Sequence, residues 1–498
     1  MMKKPNSLRI NKESFVTIIQ GDITQFYEVQ KKIGEGAYGK IYKVKNKQSG
    51  DIRAMKQITK TKIQDMGKFQ TEIKILSLLD HPNIVRLFEV IEDDKYYNLL
   101  EELCTGGELL TRAQKTELKE KEIAKIFHQI MSGVAYIHGM GIVHRDLKLE
   151  NILFASEDPK SPIKIIDFGF SVFMGNSNEN EKEKDKDKNK DSDNTDLKKF
   201  GLKRLKSKVG TLYYISPEII KGNYDEKCDI WACGVILYIL LAGYPPFTGN
   251  TDKEVYNLIT SLKYDFNKEH WKNVSKYAKE LIKNMLIPAK NRYSAKQVLA
   301  CKWFEVKLKD NLENNANSIF DYRSINKYKS YNKLKKAILT FIASRLSNEE
   351  SAHIRNIFVN IDENKNGYIN FEDFRKYVIN EYDIDDLFEN EQELKNGFEG
   401  VDIDHNNRID YTEFLAANLD EKIFLKNEKL KEAFRIFDLN DNGAIKRDDI
   451  IRVLKLENIE NKNEIADKII EENDFDKDGK INFGDFVKVM ENTSTFDL

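Results

Sequence analysis

A chain of 498 residues, at a scale of about 150 residues per domain, holds two to four domains, and its 40% apolar content suffices for packed cores. Its 80 basic and 82 acidic residues nearly cancel, which argues against a generic nucleic-acid binder. The four cysteines (Cys104, Cys228, Cys233 and Cys301) include no CxxC pair, so neither a disulfide framework nor a zinc site is expected, and a reducing interior is the natural compartment.

The start, MMKKPNSLRI, has no apolar stretch and no glycine at position 2, so neither a signal peptide nor N-myristoylation is expected. Residues 1–25 read as an N-terminal extension. From 26 to 100, β-like runs alternate with turns; KIYKV and IRAMKQI flank the turn signal KNKQSGD and predict a hairpin. The stretch IGEGAYGKIYKV (33–44) places Gly34, Gly36 and Gly39 after a strand, a backbone able to close over phosphates. A dinucleotide-binding turn needs a helix straight after the third glycine, whereas a second strand follows here. Lys56 on that next strand and Glu72 in the helical FQTEIKILSLL form a candidate pair, the carboxylate holding a lysine that orients phosphates.

From about 120 the pattern turns helical, with EIAKIFHQIMSGVAYIH spacing its apolar residues three and four apart. In HRDLKLEN (144–151), Asp146 can accept a hydroxyl proton and Lys148 can meet phosphate charge. Asn151 and Asp167, the latter in DFG (167–169), supply oxygen ligands of the kind Mg²⁺ prefers. Residues 175–196 pass without one apolar side chain, which predicts a disordered insertion. The apolar run ACGVILYILLAGY (232–244) is shorter than the ~20 residues a bilayer span needs, and reads as a buried helix.

The stretch 322–345, YRSINKYKSYNKLKKAILTFIASR, carries seven basic residues and no acidic one. Leu334, Ile338, Phe341 and Ile342 fall on one face, predicting a basic amphipathic helix that can lie on an anionic membrane, fill a hydrophobic groove or block an acidic cleft. After 345 the chain becomes a repeat. Asp362, Asp402, Asp438 and Asp474 each open a similar twelve-residue loop between helix-like segments. With ligands at positions 1, 3, 5, 7 (carbonyl) and 12, loop one offers Asp362, Asn364, Asn366, Tyr368 and Asp373. Loop two offers Asp402, Asp404, Asn406, Arg408 and Glu413; Asn407 replaces its turn glycine. Loop three offers Asp438, Asn440, Asn442, Ala444 and Asp449, with Lys446 at position 9 opposing the metal charge. Loop four offers Asp474, Asp476, Asp478, Lys480 and Asp485. Only loop two ends in Glu. Asp is shorter, gives one oxygen where Glu gives two, and so weakens selectivity for calcium over magnesium.

The glycine-rich stretch, Lys56, Glu72, HRDLKLEN and DFG stand in the order and spacing of the protein-kinase signature set, and residues 26–304 resemble that family throughout. The resemblance implies that Ile33, Gly34, Gly36, Gly39, Ile41, Ala54, Lys56, Glu102, Cys104 and Glu108 contact ATP. It implies that Lys148 belongs to a serine/threonine enzyme, that Glu218 of SPE (replacing the usual APE) pairs with Arg292, and that Asp229 braces HRDLKLEN. Thr211 in GTLYYISPE would lie near the catalytic aspartate, and Arg145 beside Asp146 would meet a loop phosphate or acidic residue, Ser207 and Thr211 being hydroxyls near the right place. Counting back from TGGEL puts Glu101 at the gatekeeper position; a slip of one residue would make it Leu100. Kinase, basic junction and four helix–loop–helix units together resemble the calcium-dependent protein kinases of plants and protists.

That resemblance implies an α+β bilobal kinase fold followed by an all-α, calmodulin-like domain of four EF-hands in two lobes. The expected divisions are 26–304 (kinase), 305–346 (autoinhibitory junction), 347–382, 387–422, 427–458 and 460–495 (hands one to four). The expected activity is calcium-regulated transfer of the ATP γ-phosphoryl group to protein Ser/Thr hydroxyls in the cytoplasm, using Mg²⁺. The partners are protein substrates with basic residues near the acceptor; neither nucleic acid nor a transmembrane segment is involved. The competing readings are a calcium sensor or scaffold with weak kinase activity, and a kinase whose hands hold Mg²⁺ and confer little calcium control.

Overall fold

The computed structural model describes residues 15–36, 39–174, 211–222, 224–309, 322–381, 391–457 and 459–492. The predicted insertion at 175–196, and Ser207, lie outside them. The chain divides into two compact units, one made of Asp65–Val85 and Cys104–Asn317, the other of Met1–Gln64, Arg86–Leu103 and Ser318–Leu498.

The first unit is largely helical. Helix α1 (Met66–Leu78) starts where the Asp65 carboxylate accepts the Lys68 N–H at 3.0 Å. Helix α2 (Glu120–Gly139) and helix α3 (Lys227–Ala242) supply the core. Helix α3 is apolar on all sides, and so it is buried on all sides, with Trp231 stacked on Phe247 at 5.5 Å. Two small antiparallel pairs hold the loops that matter. HRDLKLEN runs from the strand Ile142–Val143 to Ile152–Phe154, and DFG runs from Ile163–Ile165 to Val172–Phe173. The first strand pairs with the fourth and the second with the third, so the two loops emerge side by side.

The second unit contains a six-stranded sheet, formed by β1 (Thr17–Gln20), β2 (Tyr27–Glu35), β3 (Gly39–Asn46), β4 (Ile52–Thr59), β5 (Leu87–Glu92) and β6 (Tyr96–Glu101) in the order β1-β5-β6-β4-β3-β2. The predicted hairpin is β3–β4. The Asn46 side chain nucleates its turn by accepting the N–H groups of Gln48 and Ser49, both at 2.9 Å, and Gly50 takes the left-handed backbone that completes it. Strand β1 has no counterpart in the sequence reading, which left residues 1–25 without structure.

The same unit holds the junction and the hands. The expected single helix over 322–345 is two helices, α4 (Tyr322–Lys329) and α5 (Lys333–Ser344). They separate because Asn332 turns its side chain onto the Lys335 N–H, 2.9 Å away, and opens a new helix there. Each hand contributes an entering and an exiting helix: α6 (Ala352–Ile361) and α7 (Phe371–Glu381), α8 (Glu391–Val401) and α9 (Tyr411–Ala417), α10 (Asn427–Phe437) and α11 (Arg447–Val453), α12 (Lys462–Asn473) and α13 (Phe483–Glu491). The hands pair one with two and three with four through two-residue strands, with Ile369 opposite Ile409 and Ile445 opposite Ile481.

Helix α5 is not a helix with one bare face. Leu334, Ile338, Phe341 and Ile342 share a core with Phe358, Phe414 and Phe486 of the hands, and nearly all of α5 is buried. Two of its three lysines are taken too. Lys335 is 2% exposed and donates to the carbonyls of Met490 and Asn492 at 2.8 Å each, at the end of α13; Lys336 donates to Gly400 O at 3.2 Å, at the end of α8. Helix ends carry carbonyls without helical partners and a partial negative charge, so two ammonium groups of the junction serve as caps for two hand helices.

Candidate active site and calcium loops

In the helical unit, Asp146 is buried and its Oδ2 accepts from Lys148 Nζ at 2.8 Å and Asn151 Nδ2 at 3.1 Å. Asn151 Nδ2 also reaches the Asp146 carbonyl at 2.9 Å, leaving its Oδ1 as the oxygen available to a metal. Beneath them, Asp229 accepts the N–H groups of His144 and Arg145, each at 2.8 Å, and His138 Nε2 lies 3.0 Å from it. Burial pushes the Asp229 carboxyl up, but the His138 bond and charge and the backbone donors outweigh it and hold the group below the usual range. These contacts fix a backbone that is otherwise strained, since Arg145 has a positive φ of 65°; Asp167 in DFG has one of 64°. A Cβ placed on Gly169 would lie 3.3 Å from Asp167 Oδ1 and 3.4 Å from Glu72 Oε2, so the structure brings Glu72 to the DFG segment. Arg145 donates to Phe170 O at 2.6 Å and to the Tyr224 hydroxyl at 2.5 Å, partners that sequence reasoning missed. The side chain of Thr211 lies outside the described residues. Arg292 is buried and pairs with Glu218, its Nη2 reaching Oε2 at 3.2 Å.

In the sheet, Gly34 stands opposite Ile41, and Gly36 N–H donates to Gly39 O at 2.8 Å. Gly39 has to be glycine, because a Cβ there would sit 1.9 Å from Gln57 O on the neighbouring strand. Ala37 and Tyr38 lie outside the described residues. Pairing also decides the gatekeeper. Directly opposed residues share a face; Ala54 faces Glu101 and Lys56 faces Leu99, while Leu100 faces Met55 on the other side and is buried with Tyr27, Val44 and Ile91. Glu101 therefore shares the Ala54 and Lys56 face, and Leu100 belongs to the opposite core. Glu102 is buried beyond the end of β6; its N–H donates to Arg86 O at 2.9 Å, and its carboxylate lies 3.6 Å from Arg86 Nε. Cys104 is half-buried, and Glu108 is exposed at the start of a short helix.

All four hand loops have left-handed backbone at positions four and six, and Asn407 (φ 64°) does what Gly367, Gly443 and Gly479 (φ 81–84°) do in the others. In each loop the first Asp accepts backbone N–H groups from across the turn; Asp402, for example, takes Asn406 and Asn407 at 3.0 and 2.9 Å. The twelfth residue separates the loops. In loop two, oxygens of Asp402, Asp404 and Glu413 all lie within 4.8 Å of one another. Burial, then the neighbouring carboxylates, push Glu413 well above the usual range and Asp402 up to about 6, a repulsion that a bound cation relieves. In loop four the clustered oxygens belong to Asp474, Asp476 and Asp478, while Asp485 accepts the Asn482 N–H at 3.3 Å as part of a helix cap. In loops one and three one oxygen of the closing aspartate accepts from the third residue: Asn364 Nδ2 donates to Asp373 Oδ1 at 2.8 Å and Asn440 Nδ2 to Asp449 Oδ1 at 2.9 Å. The donor sets of loops two and four fit Ca²⁺; in loops one and three the closing carboxylate is held by an amide.

Residues 27–304 match the protein kinase domain, and residues 351–417 and 427–491 each match an EF-hand domain pair. The chain is 38% identical over 409 residues to calcium-dependent protein kinase 5 of Plasmodium berghei (strain Anka), covering 81% of this chain and 67% of the relative. It is 37% identical over 419 residues to calcium-dependent protein kinase 5 of Plasmodium falciparum (isolate 3D7), covering 83% and 68%. It is also 34% identical over 426 residues to calcium-dependent protein kinase 3 of Plasmodium berghei, covering 84% and 71%.

The chain belongs to the calcium-dependent protein kinases. This calcium-dependent protein kinase is thus a calcium-regulated serine/threonine kinase that uses ATP and Mg²⁺ and binds Ca²⁺ at EF-hands. Among the described residues no helix is long and apolar enough to cross a membrane.

Proposed function

We propose that Asp146 is the base of the transfer and Lys148 its electrostatic partner. The substrate hydroxyl gives its proton to Asp146 as its oxygen bonds the γ-phosphorus; the bond from that phosphorus to the β–γ bridging oxygen breaks, and ADP leaves. Asn151 and Asp167 would hold Mg²⁺, which would supply charge neutralisation for the phosphates, and Lys56 with Glu72 orients the phosphates. Gly34, Gly36 and Gly39 cover the phosphates, with Ile33, Ile41, Ala54, Glu102, Cys104 and Glu108 around the rest of the nucleotide. The observation that carries this reading is the convergence of Lys148 and Asn151 on one oxygen of a buried Asp146 whose loop is anchored by Asp229. Asp146→Asn should cut turnover on a basic peptide by roughly 100- to 10,000-fold with the melting temperature unchanged. Residual activity near wild type would favour a sensor or scaffold.

For calcium control, we infer that α5 is the moving part. Seated among the hands with its apolar residues, Lys335 and Lys336 engaged, it does not offer that set to a substrate cleft. Released from calcium-free hands, it presents Lys333, Lys335 and Lys336 to the site that receives basic substrates. Loops two and four are the calcium triggers. Activity in calcium against chelator at constant magnesium tests this directly; equal rates would favour magnesium-loaded hands. The free, buried thiols of Cys228 and Cys233 suit a reducing cytoplasm.

A further inference from the structure

Strand β1 lies ahead of the kinase match, which begins at residue 27. It runs parallel to β5 with Thr17 opposite Glu89 and Gln20 opposite Glu92, and Gln20 Nε2 donates to the Glu92 carboxylate at 2.8 Å. Four residues at a sheet edge are a weak element by themselves, and Ile18 is 58% exposed. The buried anchor is Phe15, which is 2% exposed and packs with the junction, its ring edge-on to Phe341 at 5.6 Å.

The backbone of the same residue is used as well. Arg345, at the C-terminal end of α5, donates to Phe15 O at 3.1 Å and to Phe88 O at 3.0 Å, with its guanidinium over the rings of Phe88 and Phe341. One guanidinium thus joins the lead into β1, strand β5 and the junction helix. Arg86 completes the connection. It donates to Ser344 O at 3.3 Å and Leu346 O at 2.6 Å, while its own carbonyl accepts the Glu102 N–H. Carbonyls at the end of α5 are thus capped from the sheet, at the residue that backs Glu102.

We propose that residues 15–20 are a coupling strand and that Phe15 is a positioning residue for phosphoryl transfer, acting through α5 and Arg86 on Glu102. This rests on the reading that calcium seats α5. An edge strand that merely stabilised the sheet would matter equally with and without calcium, whereas a coupler matters only when α5 is seated.

The test uses the full-length kinase and its F15A, F15L and I18A variants. It measures KM for ATP, binding of a fluorescent ATP analogue in calcium and in chelator at constant magnesium, calcium titration calorimetry, and amide exchange over 334–346. In calcium, F15A is expected to weaken nucleotide affinity roughly tenfold and to raise exchange at 334–346, with calcium stoichiometry unchanged. F15L should recover most of the affinity, I18A should match wild type, and in chelator all four proteins should bind nucleotide alike. Wild-type behaviour of F15A in calcium, or an equal loss in both conditions, would overturn the coupling. If wild type itself ignored calcium, the seating reading would fail instead, and unchanged exchange at 334–346 in F15A would then count against the coupling separately. Should F15A not fold, R345K takes its place, since an ammonium lacks the planar guanidinium that lies over the Phe88 and Phe341 rings while its Nη2 donates to Phe15 O and Phe88 O; the same outcomes decide.

Discussion

One methylene separates Glu413 from Asp485, and the two behave differently although both close a hand. Both cap their exiting helix by accepting the N–H three residues back, but Glu413 also brings an oxygen into the Asp402 and Asp404 cluster, whereas Asp485 stays outside the Asp474, Asp476 and Asp478 cluster. Glu413→Asp should therefore weaken the loop-two site, and Asp485→Glu should sharpen calcium activation; we expect the calcium midpoint to move roughly tenfold in opposite directions. Magnesium competition followed by calorimetry checks both, and unmoved midpoints would count against the ligand geometry. The loops themselves were legible in the sequence because their ligands lie within twelve consecutive positions. The amide–carboxylate bonds that occupy Asp373 and Asp449 were not, because residue type alone does not say whether an asparagine meets a metal or its neighbour. The gatekeeper was ambiguous for a similar reason: a one-residue slip changes the face, and only the pairing of Ala54 with Glu101 removes the choice.

At the level of elements, the basic junction was recognisable and its destination was not. Apolar residues three and four apart suggested one continuous helix, and Asn332 gave a cap signal that this spacing hid. The lysines read as a face for an anionic membrane or an acidic cleft because the carbonyls they cap belong to helices far along the chain. Burial pushes both Lys335 and Lys336 down, to about 8. Between that value and the unperturbed 10.5 the unfolded chain binds more protons than the folded one, so these groups make the fold more stable as pH rises through that window and contribute no slope below it. Comparing melting temperatures of wild type and Lys335→Met from pH 7 to about 10 should therefore give a gap that changes in favour of wild type with rising pH. A constant gap would mean that the helix-end carbonyls hold the ammonium charged throughout. Strand β1 escaped notice because its four residues, TIIQ, do not alternate polar with apolar and carry too little pattern to stand out from a tail.

For the molecule as a whole, removing everything after Phe304 does two opposed things. It takes away the segment proposed to obstruct the substrate cleft, and it strips the cover from Phe15, Phe88, Arg53 and Arg86, three of which then lose carbonyl or ring partners on the junction. The shortened chain should be more active than the intact kinase in chelator and less active than the intact kinase in calcium. A rate at or above the calcium-saturated value would mean that the hands only remove an obstruction.

All three tryptophans, Trp231, Trp271 and Trp303, fall in the helical unit, while the sheet and the calcium loops share the other. Ligand binding shifts the melting of whatever cooperative block contains its site. Added calcium should consequently move a calorimetric transition that indole emission barely registers. The optical probe most often chosen for such an enzyme would then be blind to the ion that governs it.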